Sequence, residues 1–154
     1  MIQRIQTIWL LVSALCSGLL LKGSIIDFTD TSGQEYFIAF TGIFKLNVQG
    51  KELIDWSIPL SALIILIPVL SVISILLYKS RRFQKIIALI IIAFSLCLII
   101  LVIYHSYSMM KSYNAELVPD IKMILPLIIL IAATLAYSGI SKDDRLVKSY
   151  DRLR

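Results

Sequence analysis

Charge is what this chain has least of. Asp, Glu, Lys and Arg together make up 16% of its 154 residues, against 58% hydrophobic residues. Soluble domains carry about 25% charged residues. Segments 60–77 and 86–103 hold no charged residue at all. A soluble helical bundle would place polar residues every third or fourth position along each helix, and these runs do not. Runs this long read as helices meant for hydrocarbon. The mean hydropathy of +0.88 agrees.

Cysteine and histidine are equally scarce. Cys16 and Cys97 sit in apolar runs with no CxxC or Cys/His pair, so no disulfide framework or metal site can be read. The paired cysteines of four-helix membrane thiol oxidoreductases are missing as well. Both thiols read as small packing residues, with a contact between them across helices left open. No Asp, Glu, Lys, Arg or His lies within the apolar runs, which withholds the usual groups of proton-coupled transport, charged filters and intramembrane hydrolysis. Ser13, Ser17, Ser71, Ser74, Ser95 and Thr134 have no base nearby in sequence. They are expected to bond a backbone carbonyl one turn back or to pack between helices. His105, the one histidine, stands between tyrosines at the end of an apolar run and reads as an interfacial side chain. No enzymatic activity, no cofactor and no nucleic-acid partner is expected.

What is present is a layout. The apolar segments predict spans over about 5–26, 57–78, 85–105 and 119–140. The fold class expected is a membrane all-α protein, a four-transmembrane-helix bundle in a single domain. A basic start before a short apolar stretch also fits a cleavable signal peptide. However, Leu19, Leu20, Leu21 and Lys22 stand where small residues would be needed, and Leu15 before Cys16 is a poor lipoprotein site, so an uncleaved first helix is expected. Trp56 and Tyr78 bracket the second segment as interfacial aromatics. Pro59 falls in its first turn, where the missing N–H matters little. Pro68 lies mid-helix, leaves the Ile64 carbonyl without its usual partner and predicts a kink.

The outer loop over 27–55 is expected to be β-rich. Even positions from Tyr36 through Ile38, Phe40, Gly42, Phe44 and Leu46 to Val48 give a period of two, with Gly42 marking a bulge, bend or hairpin turn. Residues 24–29 suit a partner strand, with Asp30, Thr31, Ser32 and Gly33 as the turn. A two- or three-stranded extracytoplasmic sheet packed on the helix ends follows, whose edge could pair with a partner's strand.

Orientation follows from counting basic residues. With the N-terminus inside, ten Lys or Arg lie on the inner side and five on the outer, while the acids divide three inside and seven outside. The inner side collects Arg4, then Lys79, Arg81, Arg82, Gln84 and Lys85, then Asp144, Arg145, Lys148, Asp151, Arg152 and Arg154. In the tail over 141–154, Ser141 and Asp144 suit a capping box, and Leu146, Val147, Tyr150 and Leu153 share one face. This predicts a short cytoplasmic amphipathic helix. Two uses of this face compete: anchoring on anionic lipid headgroups, and docking to another inner-membrane protein, for which the interleaved acids would matter.

Three blocks of this face resemble a known family: Met1 to Thr7 (MIQRIQT), Tyr78 to Gln84 (YKSRRFQ), and Lys142 to Arg154 (KDDRLVKSYDRLR). They are similar to the signature blocks of a family of four-span inner-membrane proteins from Bacteroidota that carry a domain of unknown function. The family's tail usually has a small residue where this chain has Tyr150, and Arg where it has Lys148. The resemblance implies the fold, a bacterial source and the inner membrane, and transfers no activity. The layout also resembles claudin-like proteins, without their paired cysteines in the outer loop. The function expected is a non-enzymatic accessory or scaffold subunit of a larger membrane complex. The alternative is a small transporter or lipid-handling protein with a pathway lined by Ser, Thr and the breaks at Pro68 and Pro126.

Overall fold

In the computed structural model, residues 3–47, 50–78 and 80–151 are described. The element order is α1 (Gln3–Leu19), β1 (Ser24–Asp30), β2 (Glu35–Ala39), β3 (Gly42–Asn47), β4 (Gly50–Trp56), α2 (Ile58–Leu76), α3 (Arg81–Tyr113), β5 (Ala115–Val118), a 3₁₀ turn (Ile121–Ile124) and α4 (Leu125–Asp151). The helices alternate in direction. Each packs along two neighbours, α1 on α2 and α4, and α3 on α2 and α4. The sheet covers one end of them.

The expectation of an all-α, four-span bundle is overturned. A five-stranded antiparallel sheet in the order β4-β3-β2-β1-β5 forms a second layer. Among the described residues, three helices are long and apolar enough to cross a membrane: Ile58–Leu76, Arg81–Tyr113 and Ile121–Arg145. The first helix is too short. It ends at Leu19 rather than reaching residue 26, because Gly23 takes a left-handed φ of 77° and turns the chain into β1. Its 17 residues rise about 26 Å, less than the ~30 Å of a hydrocarbon core. The tail is also not a separate helix. Nothing between Ile140 and Asp151 breaks the helical path, so α4 runs through Ser141 without a cap.

The strand missed in the sequence is β5, which pairs with β1 from the far side of α3. Asn114 ends α3 in the left-handed region (φ 46°), one of the few residue types that enters it readily, and sends the chain back along β1. The period-two run from Tyr36 divides into β2 and β3. Gly42, at φ 151°, begins β3, and a Cβ there would lie 2.1 Å from the Asp55 carbonyl oxygen. A bulge between Ser24 and Ile26 lets both Ile25 and Ile26 be buried, and with Phe28 and Ile38 they join the sheet to the helix ends. The Asp30 turn is closed by Gly33 N–H donating to the Asp30 carbonyl at 2.8 Å. Desolvation is the largest single influence on the Asp30 carboxyl and pushes it up, but the Thr31 N–H, the Ser32 and Thr31 hydroxyls and the Lys45 charge together outweigh it and hold it below the usual carboxylate range.

The helices are dressed in an inverted manner. Ile58 is 69% exposed, Leu76 71% and Ile100 63%, while Ser13, Ser17, Ser71, Ser74 and Ser95 are fully buried. Outward hydrocarbon and inward hydroxyls are the reverse of a water-soluble bundle. Most of the inward hydroxyls find backbone, whereas the Ser74 hydroxyl is buried with no hydrogen-bond partner among the described residues. Ser71 donates to Ile67 O at 2.9 Å and Ser95 to Ile92 O at 2.8 Å. One of them does more. Pro68 has no N–H to give the Ile64 carbonyl, and the Ser17 hydroxyl of α1 donates to that carbonyl at 2.9 Å. A turn away, the Ser13 and Ser71 hydroxyls meet at 3.3 Å. The proline's vacant acceptor is thus filled by the neighbouring helix, which fixes the register of α1 on α2.

Ser17→Ala is expected to lower stability by about 1–2 kcal/mol, because it leaves that carbonyl bare in an apolar interior. In a Pro68→Ala background, where the residue 68 N–H returns, the same change is expected to be nearly neutral. Thermal unfolding of the four proteins in detergent measures the coupling. An equal loss in both backgrounds would remove Pro68 from the explanation.

Candidate functional site

Opposite the sheet, three segments far apart in the chain converge. Gln6 on α1 donates through Nε2 to Asp143 Oδ2 on α4 at 2.6 Å, a buried contact across 137 residues of sequence. Gly139, one turn before Asp143, provides the space for it: a Cβ there would lie 2.7 Å from Gln6 Cγ. Arg81, at the start of α3, reaches the Asp143 backbone carbonyl with one guanidinium nitrogen at 3.4 Å. One turn further along α3, the Lys85 ammonium sits 5.7 Å from the centre of the Tyr137 ring. The α2–α3 link thereby clasps α4, and α4 clasps α1.

Of the residues singled out in the sequence, Arg81 and Lys85 are half-buried and make these contacts. Arg82 and Arg145 are exposed and Asp144 is half-buried, so these three form the outer surface of this end. Gln84 is 5% exposed and belongs to the interior, because the inner face of α3 carries it there with Ala88 and Ile91. Arg4, Lys148 and Asp151 are described by their helical backbone alone, and Lys79, Arg152 and Arg154 lie outside the described residues. The organising pair, Gln6 and Asp143, was not singled out as a pair. Only the tertiary approach of α1 and α4 joins them.

A second polar pair lies at the sheet end. Ser57, between β4 and α2, meets His105 Nε2 of α3 at 2.9 Å. The Ser57 N–H donates to the Thr41 carbonyl at 3.1 Å, and Ser61 one turn on donates to the Phe40 carbonyl at 2.8 Å. The Asp55 carboxylate acts electrostatically on the imidazole. A serine, a histidine and an acid are the ingredients of acyl transfer. Ser57 is only 5% exposed and His105 9%, however, so the pair is enclosed between the β4–α2 junction and α3 and works as a tie between sheet and helices. The sequence had left His105 as an isolated interfacial side chain. Its partner, 48 residues away, is set by the fold.

Elsewhere, Cys16 is half-buried and Cys97 exposed, and both are free thiols. Among the described residues there is no group of three or more His, Cys, Asp or Glu placed to hold a metal ion.

The fold therefore defines a protein of apolar helices, three of spanning length, closed at one end by a sheet and at the other by a mixed-charge cluster. The chain belongs to the family described as domain of unknown function DUF4293, whose model matches residues 2–153. No curated protein and no solved structure matches it.

Gln6→Leu would leave the buried Asp143 carboxylate without its donor and is expected to destabilise by about 1–3 kcal/mol. Gln6→Glu, which places two carboxylates together, is expected to be worse at neutral pH and to recover in acid. Thermal midpoints across pH in detergent check the order. At the other end, His105→Ala is expected to lower the midpoint by about 2–4 °C, and His105→Gln, which can still bond Ser57, to restore most of it. Equal losses in the two His105 variants would show that the ring's packing, not its hydrogen bond, is what matters.

Proposed function

We propose that this protein is a non-enzymatic accessory or scaffold subunit of a larger assembly in a bacterial inner membrane, in a bacterium of the Bacteroidota. The end carrying Gln6, Arg81 and Asp143 faces the cytoplasm and docks the partner, another inner-membrane protein. The observation that carries this reading is the convergence of three distant segments on Asp143. It gathers Arg82, Asp144 and Arg145 into a surface of both signs on a rigid base. A surface with interleaved acids and bases favours a partner of matching pattern over a uniformly anionic sheet of headgroups, because the acids weaken the latter.

Orientation rests on the excess of basic residues at this end, ten of the chain's fifteen. The sheet then lies on the outer side. Its edge strand β4 is exposed at all seven positions and offers unpaired backbone groups to a second contact. The bulge between β3 and β4 and the charges of Lys51 and Glu52 along that edge restrain indiscriminate pairing.

Purification from the native host in mild detergent after crosslinking is expected to recover a second membrane protein in fixed proportion. Arg82→Glu with Arg145→Glu is expected to reduce that recovery about tenfold while leaving the thermal midpoint unchanged. Recovery of the wild-type chain as a free species after crosslinking would overturn the proposal.

A further inference from the structure

The sheet turns one face to the helices and the other away from them. Strand alternation puts Phe28, Tyr36, Ile38 and Ile43 on the helix side, where all four are buried. Their chain neighbours point outward. The pairing registers set Leu53, Phe44, Phe37, Asp27 and Val118 in one row across β4, β3, β2, β1 and β5. The adjoining row carries Lys51 and Leu46 on β4 and β3, and Glu35, Thr29 and Glu116 on β2, β1 and β5. The outward face is therefore apolar toward β4 and acidic toward β5.

Each half has the makings of a contact surface. Phe37 and Phe44 stack with ring centres 5.3 Å apart and planes 8° from parallel, and the exposed Leu46 and Leu53 flank them. Beside this ladder, Asp27, Thr29, Glu35, Phe37 and Val118 line a half-open depression of about 210 Å³. Two of its walls are carboxylates, and Glu116 pairs with Thr29 next to it. Among the described residues, none of these three carboxylates is held in an ion pair. Lys51 is the basic residue of the two rows, and its ammonium lies 5.0 Å from the Phe37 ring centre. A cation can thus rest on this face by attraction to an aromatic ring. Three carboxylates against one ammonium leave the surface acidic, so charge complementarity calls for a further cation. The occupant must also cover hydrocarbon. With neighbouring strands about 4.8 Å apart, the row from Asp27 to Leu53 measures about 14 Å, beyond the reach of a small organic cation. A polypeptide segment with a basic side chain among apolar ones satisfies both halves.

We infer that the outward sheet face docks a polypeptide segment of a partner protein, with a Lys or Arg of that segment seated at Asp27 and Glu35 and its apolar side chains laid on Phe37, Phe44 and Leu53. The row ends at β4, the free edge of the sheet, so backbone pairing there would continue the same contact. The inference gives a chemistry to the contact proposed at the sheet end and stands apart from the surface at Arg82 and Arg145.

The test uses the full-length protein in nanodiscs and three dye-labelled peptides of five residues, followed by fluorescence anisotropy with empty nanodiscs subtracted. The peptides share flanking leucines and phenylalanines and differ at the centre, which is lysine, norleucine or glutamate. The lysine peptide is expected to bind about tenfold more tightly than the norleucine peptide, the scale of one cation beside two exposed carboxylates, and the glutamate peptide more weakly still. Asp27→Asn with Glu35→Gln keeps side-chain shape and is expected to level the lysine and norleucine affinities. Thr29→Arg supplies a cation from the chain itself between Glu35 and Glu116, and the same levelling is expected. Phe44→Thr retains a strand-forming residue and is expected to weaken all three peptides alike. Equal binding of the lysine and norleucine peptides to the unaltered protein would overturn the site. So would a lysine preference that survives both the acid and the Thr29 changes, or no binding above empty nanodiscs. Arg82→Glu with Arg145→Glu is expected to leave the lysine preference intact, so failure at the sheet and failure at the clasped end are separate results.

Discussion

Polar groups inside an apolar shell must find one another, and this requirement organises the whole molecule. The outward faces of the helices are mostly hydrocarbon, so a buried hydroxyl, carboxylate or freed carbonyl gains nothing by turning outward. Ser71 and Ser95 turn to a carbonyl of their own helix and Ser74 is left without a partner among the described residues, but three groups are met from a neighbouring element. Ser17 on α1 meets the Ile64 carbonyl that Pro68 leaves open, Ser57 meets His105, and Gln6 meets Asp143. These contacts are few, but each joins two different elements. Hydrocarbon packing is non-directional and would tolerate several rotations of one helix against another. The polar contacts select one.

Their placement divides the work by depth. In the middle, Ser17 and Ser13 set α1 on α2, a pairing that small side chains allow to be close. At one end, Ser57, Ser61 and His105 tie the β2–β3 turn and the β4–α2 junction to α2 and α3. At the other, Gln6, Arg81 and Asp143 bind α1, α3 and α4. Helix α3, 33 residues and about 50 Å long, is the one element that takes part in both ends. It runs past the apolar segment, so that Met109 and Tyr113 support the sheet, Tyr113 lying with its ring 4.9 Å from that of Tyr36. The five-stranded sheet needs a surface on which to bury its apolar face, and this projection supplies part of it.

The functional reading follows the same division. The enclosed pairs hold the shape, and the outer charges of the clasped end and the exposed edge of β4 are surfaces open to other molecules. In the proposed reading these are surfaces for binding. The Ser57–His105 pair is enclosed and joins two layers.

The one-dimensional pattern was sufficient wherever the physics is local. Apolar runs without charge showed where α2, α3 and α4 lie, the period of two and the Asp30 turn showed strands in the outer loop, and Pro68 announced a carbonyl in need of a partner. The pattern was insufficient wherever the partner is distant. It carried the first helix past Leu19, since apolar residues continue to Leu21 and the left-handed turn at Gly23 shows only as one more glycine. It detached the tail from α4, since a capping pattern at Ser141 looks the same whether or not the helix before it stops. It overlooked β5, four residues whose strand identity comes from pairing with β1, and with it the five-stranded layer that replaces an all-α bundle. The blocks around Arg81 and Asp143 could be read as one polar side from charge alone. That Gln84 is interior, that Gln6 reaches Asp143, and that Ser17 answers Pro68 were decided by tertiary structure, because composition registers how many polar groups there are and only packing determines which of them meet.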